Sequence, residues 1–152
     1  MRPLLAALAS MLVLVQPARA QDRVALWTAS AGDVGEIAVE VAQASRRALG
    51  AARAAAASAS CDPTEPGCIA HLVRGTGASR LLAVRTVWVR GPCVPIVRDG
   101  VRVGSRMLRA PGVELTLYAA DGSVLSERTL RDEDRDRLVA QVAPAIALLL
   151  GP

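Results

Sequence analysis

The order of apolar and polar positions in the first half of the chain predicts a strand followed by a helix. Residues 23–28 form a short apolar run that leads into a turn, which is typical of a buried strand. Apolar side chains then recur at helical spacing over residues 34–52, and Asp33 and Glu36 mark the start of this predicted helix. We expect the alanine-rich residues 51–57 to continue or fray the helix, with a flexible linker as the alternative.

The middle of the chain predicts a short helix and then a strand. Residues 68–74 have the pattern of a helix that ends at Gly75. Residues 81–90 are rich in β-branched side chains and contain a tryptophan, so they predict the strongest strand of the chain. We expect Gly91 and Pro92 to end it.

Two Asp-Gly pairs predict hairpins in the second half. The pair at 99–100 and the pair at 121–122 each lie between apolar runs. The last segment, residues 132–150, begins with acidic residues and continues with helical spacing, and we expect Pro144 to kink or restart this helix. Together the elements predict an α+β domain with a mainly antiparallel sheet and its helices packed on one face.

The first 20 residues predict export. Arg2 precedes an apolar run over residues 4–15, and residues 18–20 form a small-x-small cleavage site. An uncleaved membrane anchor is the alternative, but the run is shorter than the roughly 20 residues that cross a bilayer. We therefore expect a cleaved signal peptide, residues 1–20, a single domain, residues 21–152, and a periplasmic or secreted protein with no transmembrane helix after cleavage.

Composition argues against a nucleic-acid partner. All 18 basic residues are arginine, and after cleavage the chain has 16 arginines and 14 acidic residues. The chain has three aromatic side chains, Trp27, Trp88 and Tyr118, and its arginines are spread among acids. Nucleic-acid binders concentrate basic residues and add aromatic stacking platforms, so the sequence predicts no such partner.

The cysteines predict one disulfide. Cys61 and Cys68 enclose a turn-forming segment with two prolines and a glycine, and in an exported protein they are expected to pair. We expect the third cysteine, Cys93, to be buried, with pairing to a second chain as the alternative. A zinc site built from two thiols and His71 is the alternative to the disulfide, which the oxidising compartment disfavours.

Motifs of catalysis are missing from the sequence. Gly75, Thr76 and Gly77 follow a predicted helix instead of a strand, which does not match a dinucleotide-binding loop. His71 is the one imidazole, and no serine lies in a nucleophile elbow. The sequence therefore predicts a non-enzyme with no cofactor and no metal. A hydrolase or redox protein that uses His71 with a cysteine is the alternative.

The order of elements resembles a group of envelope domains. A C-x6-C segment before a short helix, then the phrase G-T-G-A-S-R-L-L-A-V leading into a strand, then hairpins and a closing helix, are similar to the amino-terminal domain of the TolB type and, more distantly, to periplasmic domains of curli-secretion-channel proteins. The resemblance spans residues 24–150 and implies a non-catalytic module that binds other envelope proteins.

The strand and hairpin after residue 80 hold the candidate partner surface. Trp88 is its candidate anchor, and Arg98, Arg102 and Arg106 lie on the following hairpin. A small-ligand-binding periplasmic protein is the alternative to this interaction module.

Overall fold

The computed structural model describes residues 23–32, 34–51, 53–57 and 60–151. The predicted signal peptide, residues 1–20, and the predicted helix-capping residue Asp33 lie outside the described residues. The elements are β1 Val24–Ser30, α1 Gly35–Leu49, β2 Ala54–Ala56, α2 Cys68–Thr76, β3 Arg80–Arg98, β4 Val101–Ala119, β5 Val124–Arg131 and α3 Arg135–Leu150.

The strands form a mixed sheet of the order β2-β1-β3-β4-β5. β1 pairs with β2 and β3 in parallel, whereas the long β3–β4 ladder and the β4–β5 ladder are antiparallel. The predicted α+β class and the mostly antiparallel sheet are confirmed. Both predicted hairpins are also present, and at the first the backbone φ is 50° at Asp99 and 77° at Gly100, as a two-residue hairpin turn of type I′ requires.

Helices cover both faces of the sheet. α1 and α3 pack on one face, where Leu138 of α3 belongs to the same apolar cluster as Leu26 and Val84. α2 packs on the other face, where Leu72 belongs to a second cluster with Trp27. The expectation that all helices lie on one face is therefore wrong. Successive side chains of β1 point to opposite faces, and both sets are apolar, so each face needs a covering element.

Three boundaries differ from the sequence prediction. α1 ends at Leu49, and Ala54–Ala56 form strand β2 instead of more helix, because pairing with β1 outweighs the helix propensity of alanine. β3 does not end at Gly91 and Pro92 but passes through them with a shift of register between Arg90 and Cys93. Such a bulge accommodates a proline that cannot donate to the ladder.

Two predicted helix features also change. α2 extends to Thr76, one residue past Gly75, and Gly77 ends it with a positive φ of 64°. α3 runs through Pro144 as a single element, because buried side chains on both sides of the proline hold it against the sheet. These side chains are Leu138, Val142, Ala145, Ile146 and Leu149.

Candidate functional site

The most prominent feature outside the packed body is a long two-stranded ribbon formed by β3 and β4. β1 accompanies β3 only as far as Thr86, and β5 accompanies β4 only from Gly112 onward. Beyond these points β3 and β4 continue as a pair with no third strand among the described residues. We call residues 90–109 the hairpin arm; its strands extend for about 30 Å.

The side chains of the hairpin arm lie in solvent on both faces. Of residues 90–109, all described, none is buried, and only Gly91, Val94 and Leu108 are half-buried. The arm thus contributes no side chain to either apolar cluster. Its order is not explained by packing within its own domain.

Positive charge is concentrated on the hairpin arm. The arm contains five arginines and a single acid, Asp99. None of these arginines forms an ion pair with a carboxylate of the described chain. The remainder of residues 21–152 has eleven arginines and thirteen acids, so the arm is the basic end of an otherwise slightly acidic domain.

The arm-base surface, which we define as Trp88, Arg90 and Arg109, lies where the arm leaves the body. Arg90 and Arg109 are paired directly across the ladder, and strand alternation places Trp88 on the same face as Arg90. The side chain of Arg131 reaches from β5 to the carbonyl of Arg90, with Nη1 3.4 Å from the oxygen. The positive charges of Arg90 and Arg109 repel each other across the ladder, and an anionic group bound between them would relieve this repulsion.

Trp88 is 39% exposed and stands beside Gly32, where a Cβ would lie 3.7 Å from its indole Cδ1. A shallow cleft of about 770 Å³ follows this part of the sheet and is lined by Trp88, Val89, Arg90 and Glu114 among others. A large aromatic side chain next to a cleft and to arginines has the composition of a protein interaction hot spot.

The structure brings the sequence-predicted residues onto one hairpin but not onto one face. Arg106 is opposite Val94, whereas Arg102 is opposite Val97. Alternation along β3 puts Val94 and Val97 on opposite faces of the ribbon, and the register shift between Ile96 and Val97 puts Arg102 on the face of Val97. Sequence reasoning missed Arg90 and the exposed valines of the tip. Their exposure on the ribbon depends on the continuation of β3 past Gly91, and no local sequence pattern predicted that continuation.

The predicted disulfide is present. Cys61 and Cys68 are joined and close a loop at the start of α2. Within this loop the carboxylate of Asp62 pairs with the guanidinium of Arg85 at 2.8 Å, and that guanidinium lies 5.6 Å from the ring centre of Trp27. Hydrogen bonds from the backbone and hydroxyl of Thr64, with a smaller contribution from Arg85, hold the pKa of Asp62 below its ordinary value. The ion pair between Asp62 and Arg85 holds the loop against the face of the sheet that α2 covers.

The expected burial of Cys93 is wrong. Cys93 is a free cysteine and is exposed on the hairpin arm, next to the bulge at Gly91 and Pro92. The residue pairs with Met107 in a ribbon that has no covering layer among the described residues, so no core is available to bury it. Its thiol is accessible to a reagent.

Of the groups considered for catalysis or metal binding, Cys61, Cys68 and His71 lie at or near the start of α2, whereas Cys93 lies on the hairpin arm. The thiols of Cys61 and Cys68 are consumed by their disulfide, and His71 is exposed on α2. Its imidazole has no side-chain hydrogen bond or ion pair with a described residue. Within the described ranges no group of three or more His, Cys, Asp or Glu side chains is placed to hold a metal ion.

Two other depressions lie in the body. A groove of about 690 Å³ follows the β1–β2 edge between small side chains such as Ala54 and Ala56, with Arg46 and Arg47 beside it. A cavity of about 130 Å³ lies between Trp27, Arg85 and Tyr118. The indole Nε1 of Trp27 is buried and has no hydrogen-bond acceptor among the described residues.

Among the described residues, none of the helices has the length and apolar character needed to cross a bilayer.

Comparison with known proteins relates the chain by its fold. No protein-family model matches the sequence, and no curated protein matches it. A solved structure of the PelC dodecamer from Paraburkholderia phytofirmans is similar, with a TM-score of 0.51, 16% identity, and coverage of 89% of this chain and 91% of that chain. A solved structure of a point variant of PelC from the same organism, also a dodecamer, has a TM-score of 0.51 and 15% identity, and covers 90% of this chain and 94% of that chain. The similarity to PelC is therefore one of fold.

Proposed function

We propose that this chain is an exported, non-catalytic interaction module of the cell envelope that binds other envelope proteins through the arm-base surface. The observation that carries the proposal is the hairpin arm, in which no residue from 90 to 109 is buried although the two strands form a long antiparallel ladder. Ordering such a ribbon costs conformational entropy and adds nothing to the core. A role outside its own domain accounts for it.

The arm-base surface has the residue types of a binding site. Trp88 offers apolar area at low entropic cost, and Arg90 and Arg109 next to it offer planar hydrogen-bond donors. The partner that fits this surface presents an apolar pocket for the indole and a carboxylate for the paired guanidinium groups. Trp88 is therefore the proposed anchor.

The partners include further copies of this chain. PelC, which shares the fold, is described as a dodecamer, and this supports self-association as one form of the interaction. The sequence resemblance to TolB-type domains supports the same class of function, since it implies binding to other envelope proteins.

Export is proposed from two features that agree with each other. Residues 1–20 have the pattern of a signal peptide, and Cys61 and Cys68 are joined in a disulfide, which is stable in an oxidising compartment. The non-catalytic assignment is supported by the pairing of Cys61 with Cys68, which removes both thiols beside His71, and by the position of Cys93 on the hairpin arm.

The test is crosslinking and affinity capture of the tagged mature protein from intact envelopes, with matched variants. Trp88→Ala should reduce capture of the main partner at least tenfold, as truncation of a hot-spot residue does. Leu148→Ala is the control, because Leu148 is also a large exposed apolar residue but lies on α3. Capture that Trp88→Ala leaves unchanged, or that both variants reduce equally, would overturn the proposal.

A small-ligand-binding protein is the second candidate, and the groove along the β1–β2 edge favours it. Its volume of about 690 Å³ falls within the range of ligand pockets, and Arg46 and Arg47 suit an anionic ligand. This candidate predicts that the double variant Arg46→Gln/Arg47→Gln abolishes ligand-induced thermal stabilisation. It also predicts that the parent protein captures no partner through Trp88.

A further inference from the structure

The tip of the hairpin arm, which we define as residues 96–103, exposes an apolar cluster of its own. Val97, Val101 and Val103 are 57%, 63% and 58% exposed, and Ile96 is 40% exposed. They surround the Asp99-Gly100 turn at the end of the ribbon that is farthest from the body. Scattered single apolar residues are ordinary on a protein surface, but a cluster at the end of a protruding element marks a contact site.

Arginines are interleaved with this apolar cluster. Arg98 and Arg102 flank the turn, and Arg106 lies four residues further along β4. No described carboxylate pairs with any of them, so their guanidinium groups are available to an external anion. An apolar tip surrounded by long basic side chains matches a lipid interface, where the apolar atoms leave water and the charged ends remain at the level of the phosphates.

The distribution of these side chains favours an end-on contact. Because the register shifts between Ile96 and Val97, the pair Val94 and Arg106 lies on one face of the ribbon, and the pair Val97 and Arg102 lies on the other. Because both faces have the same mixture, a protein that covered one face would leave half of the apolar and basic groups unused. The tip is also small beside the roughly 800 Å² that each partner buries in a standard protein interface. A planar surface approached tip-first uses both faces.

The charge of the arm and its free backbone groups indicate which lipids it binds and how deeply it enters the bilayer. The arm holds five arginines against one acid, which complements anionic headgroups, and arginine pairs with phosphate through two parallel hydrogen bonds. The ribbon has free backbone groups along its outer edges, and these cannot enter hydrocarbon without loss of hydrogen bonding. The contact is therefore confined to the headgroup region.

We propose that the tip of the hairpin arm docks on an anionic lipid bilayer, with its valines in the interface and with Arg98 and Arg102 of the tip and the adjoining Arg106 on lipid phosphates. The inference rests on the proposed function in one respect, namely that the arm is a contact element. It assigns the tip to the membrane, while the arm base, around Trp88, is assigned to proteins.

The experiment measures binding of the mature chain, residues 21–152, to vesicles of equal parts phosphatidylcholine and phosphatidylglycerol and to vesicles of phosphatidylcholine alone. Flotation gives the bound fraction, and an environment-sensitive fluorophore on the free thiol of Cys93 gives the binding curve. We expect binding to the anionic vesicles at least tenfold tighter than to the neutral ones, and a loss of binding in high salt.

Variants locate the contact. The triple variant Arg98→Gln/Arg102→Gln/Arg106→Gln should bind anionic vesicles about 100-fold more weakly, at about fivefold for each arginine. The triple variant Val97→Thr/Val101→Thr/Val103→Thr, which keeps β-branched side chains in the ribbon, should also weaken binding. The matched control, Arg53→Gln/Arg74→Gln/Arg128→Gln, removes three exposed arginines from the body and should retain most of it.

Equal binding to both kinds of vesicle, no binding to either, or an equal loss in the tip and control variants would overturn the inference. Unchanged melting temperatures show that the variants are folded. The two proposals fail separately: Trp88→Ala should reduce protein capture at least tenfold and leave vesicle binding intact, whereas the tip variants should weaken vesicle binding and leave protein capture intact. Tip variants that lose protein capture and keep vesicle binding would assign the tip to a protein partner instead.

Discussion

Removal of the Cys61–Cys68 disulfide is a direct perturbation of the face that α2 covers. The double variant Cys61→Ala/Cys68→Ala is compared with the parent chain, and both carry Cys93→Ser so that the exposed free thiol cannot exchange with the disulfide. The change deletes the covalent closure of the loop and, apart from the side chain of Cys68, leaves the contacts of α2 with the sheet in place.

The magnitude follows from the length of the closed loop. The two cysteines are separated by seven positions, and closing a loop of this length in the unfolded chain corresponds to about 2 kcal/mol at 25 °C. Cys68 is also buried, so its replacement by alanine removes packing and adds somewhat less than about 1 kcal/mol. We expect the free energy of unfolding to fall by about 2–3 kcal/mol and the melting temperature by about 8 °C.

The assay is urea unfolding followed by tryptophan fluorescence and by circular dichroism. Trp27 is buried beneath this loop and α2, so with Trp88→Phe in both chains the emission reports on that face, while circular dichroism reports on the whole domain. We expect both signals to change in one transition with a lower midpoint in the double variant.

Two results would refute this reasoning. A double variant within about 0.5 kcal/mol of its parent would show that the closure does not limit the unfolded chain as the entropy argument requires. A fluorescence change that precedes the circular dichroism change would show that the loop and α2 detach as a separate unit, in which case the entropic term does not apply to the whole domain.

Two further predictions concern packing and pH. Leu138→Ala should cost about 2–5 kcal/mol because Leu138 is fully buried, whereas Leu148→Ala, at an exposed position of the same helix, should stay within about 0.5 kcal/mol; similar losses in urea unfolding would contradict the assigned faces of α3. The folded-state pKa of Asp62 is lowered, first by Thr64, so its contribution to stability is present above the ordinary aspartate pKa of about 4 and is lost as the pH falls below it. Asp62→Asn should flatten the fall in melting temperature on this acid side, and an unchanged slope would argue against the Asp62 bonds.

The sequence was sufficient where local chemistry decides the structure. The pair Asp99 and Gly100 adopts the two positive φ values of a tight hairpin turn, which few other residue pairs accept, and the turn fixes the pairing of its flanks. The disulfide was equally predictable, because its two cysteines are close in sequence and the turn between them brings them together.

Features that depend on distant parts of the chain were not predictable. Gly91 and Pro92 have the local signal of a strand end, but pairing with β4 carries β3 past them, and the length of the hairpin arm follows from this. The side of the sheet that α2 covers depends on how the chain crosses from the edge strand β2 to the central strand β3. For the candidate site, Trp88 and the arginines were identifiable as residues, but their exposure depends on β1 and β5 ending before the arm begins.

The two apolar clusters on opposite faces of the sheet have a consequence for the way substitutions combine. Leu138 belongs to the cluster under α1 and α3, and Ile69 belongs to the cluster under α2, with the backbone layer of the sheet between them. Residues that share no packing partner add their effects on the free energy of unfolding almost independently. The face under α2 can therefore accumulate changes of side-chain size without compensating changes under α1 and α3. The side chains of the two clusters can be substituted independently of each other.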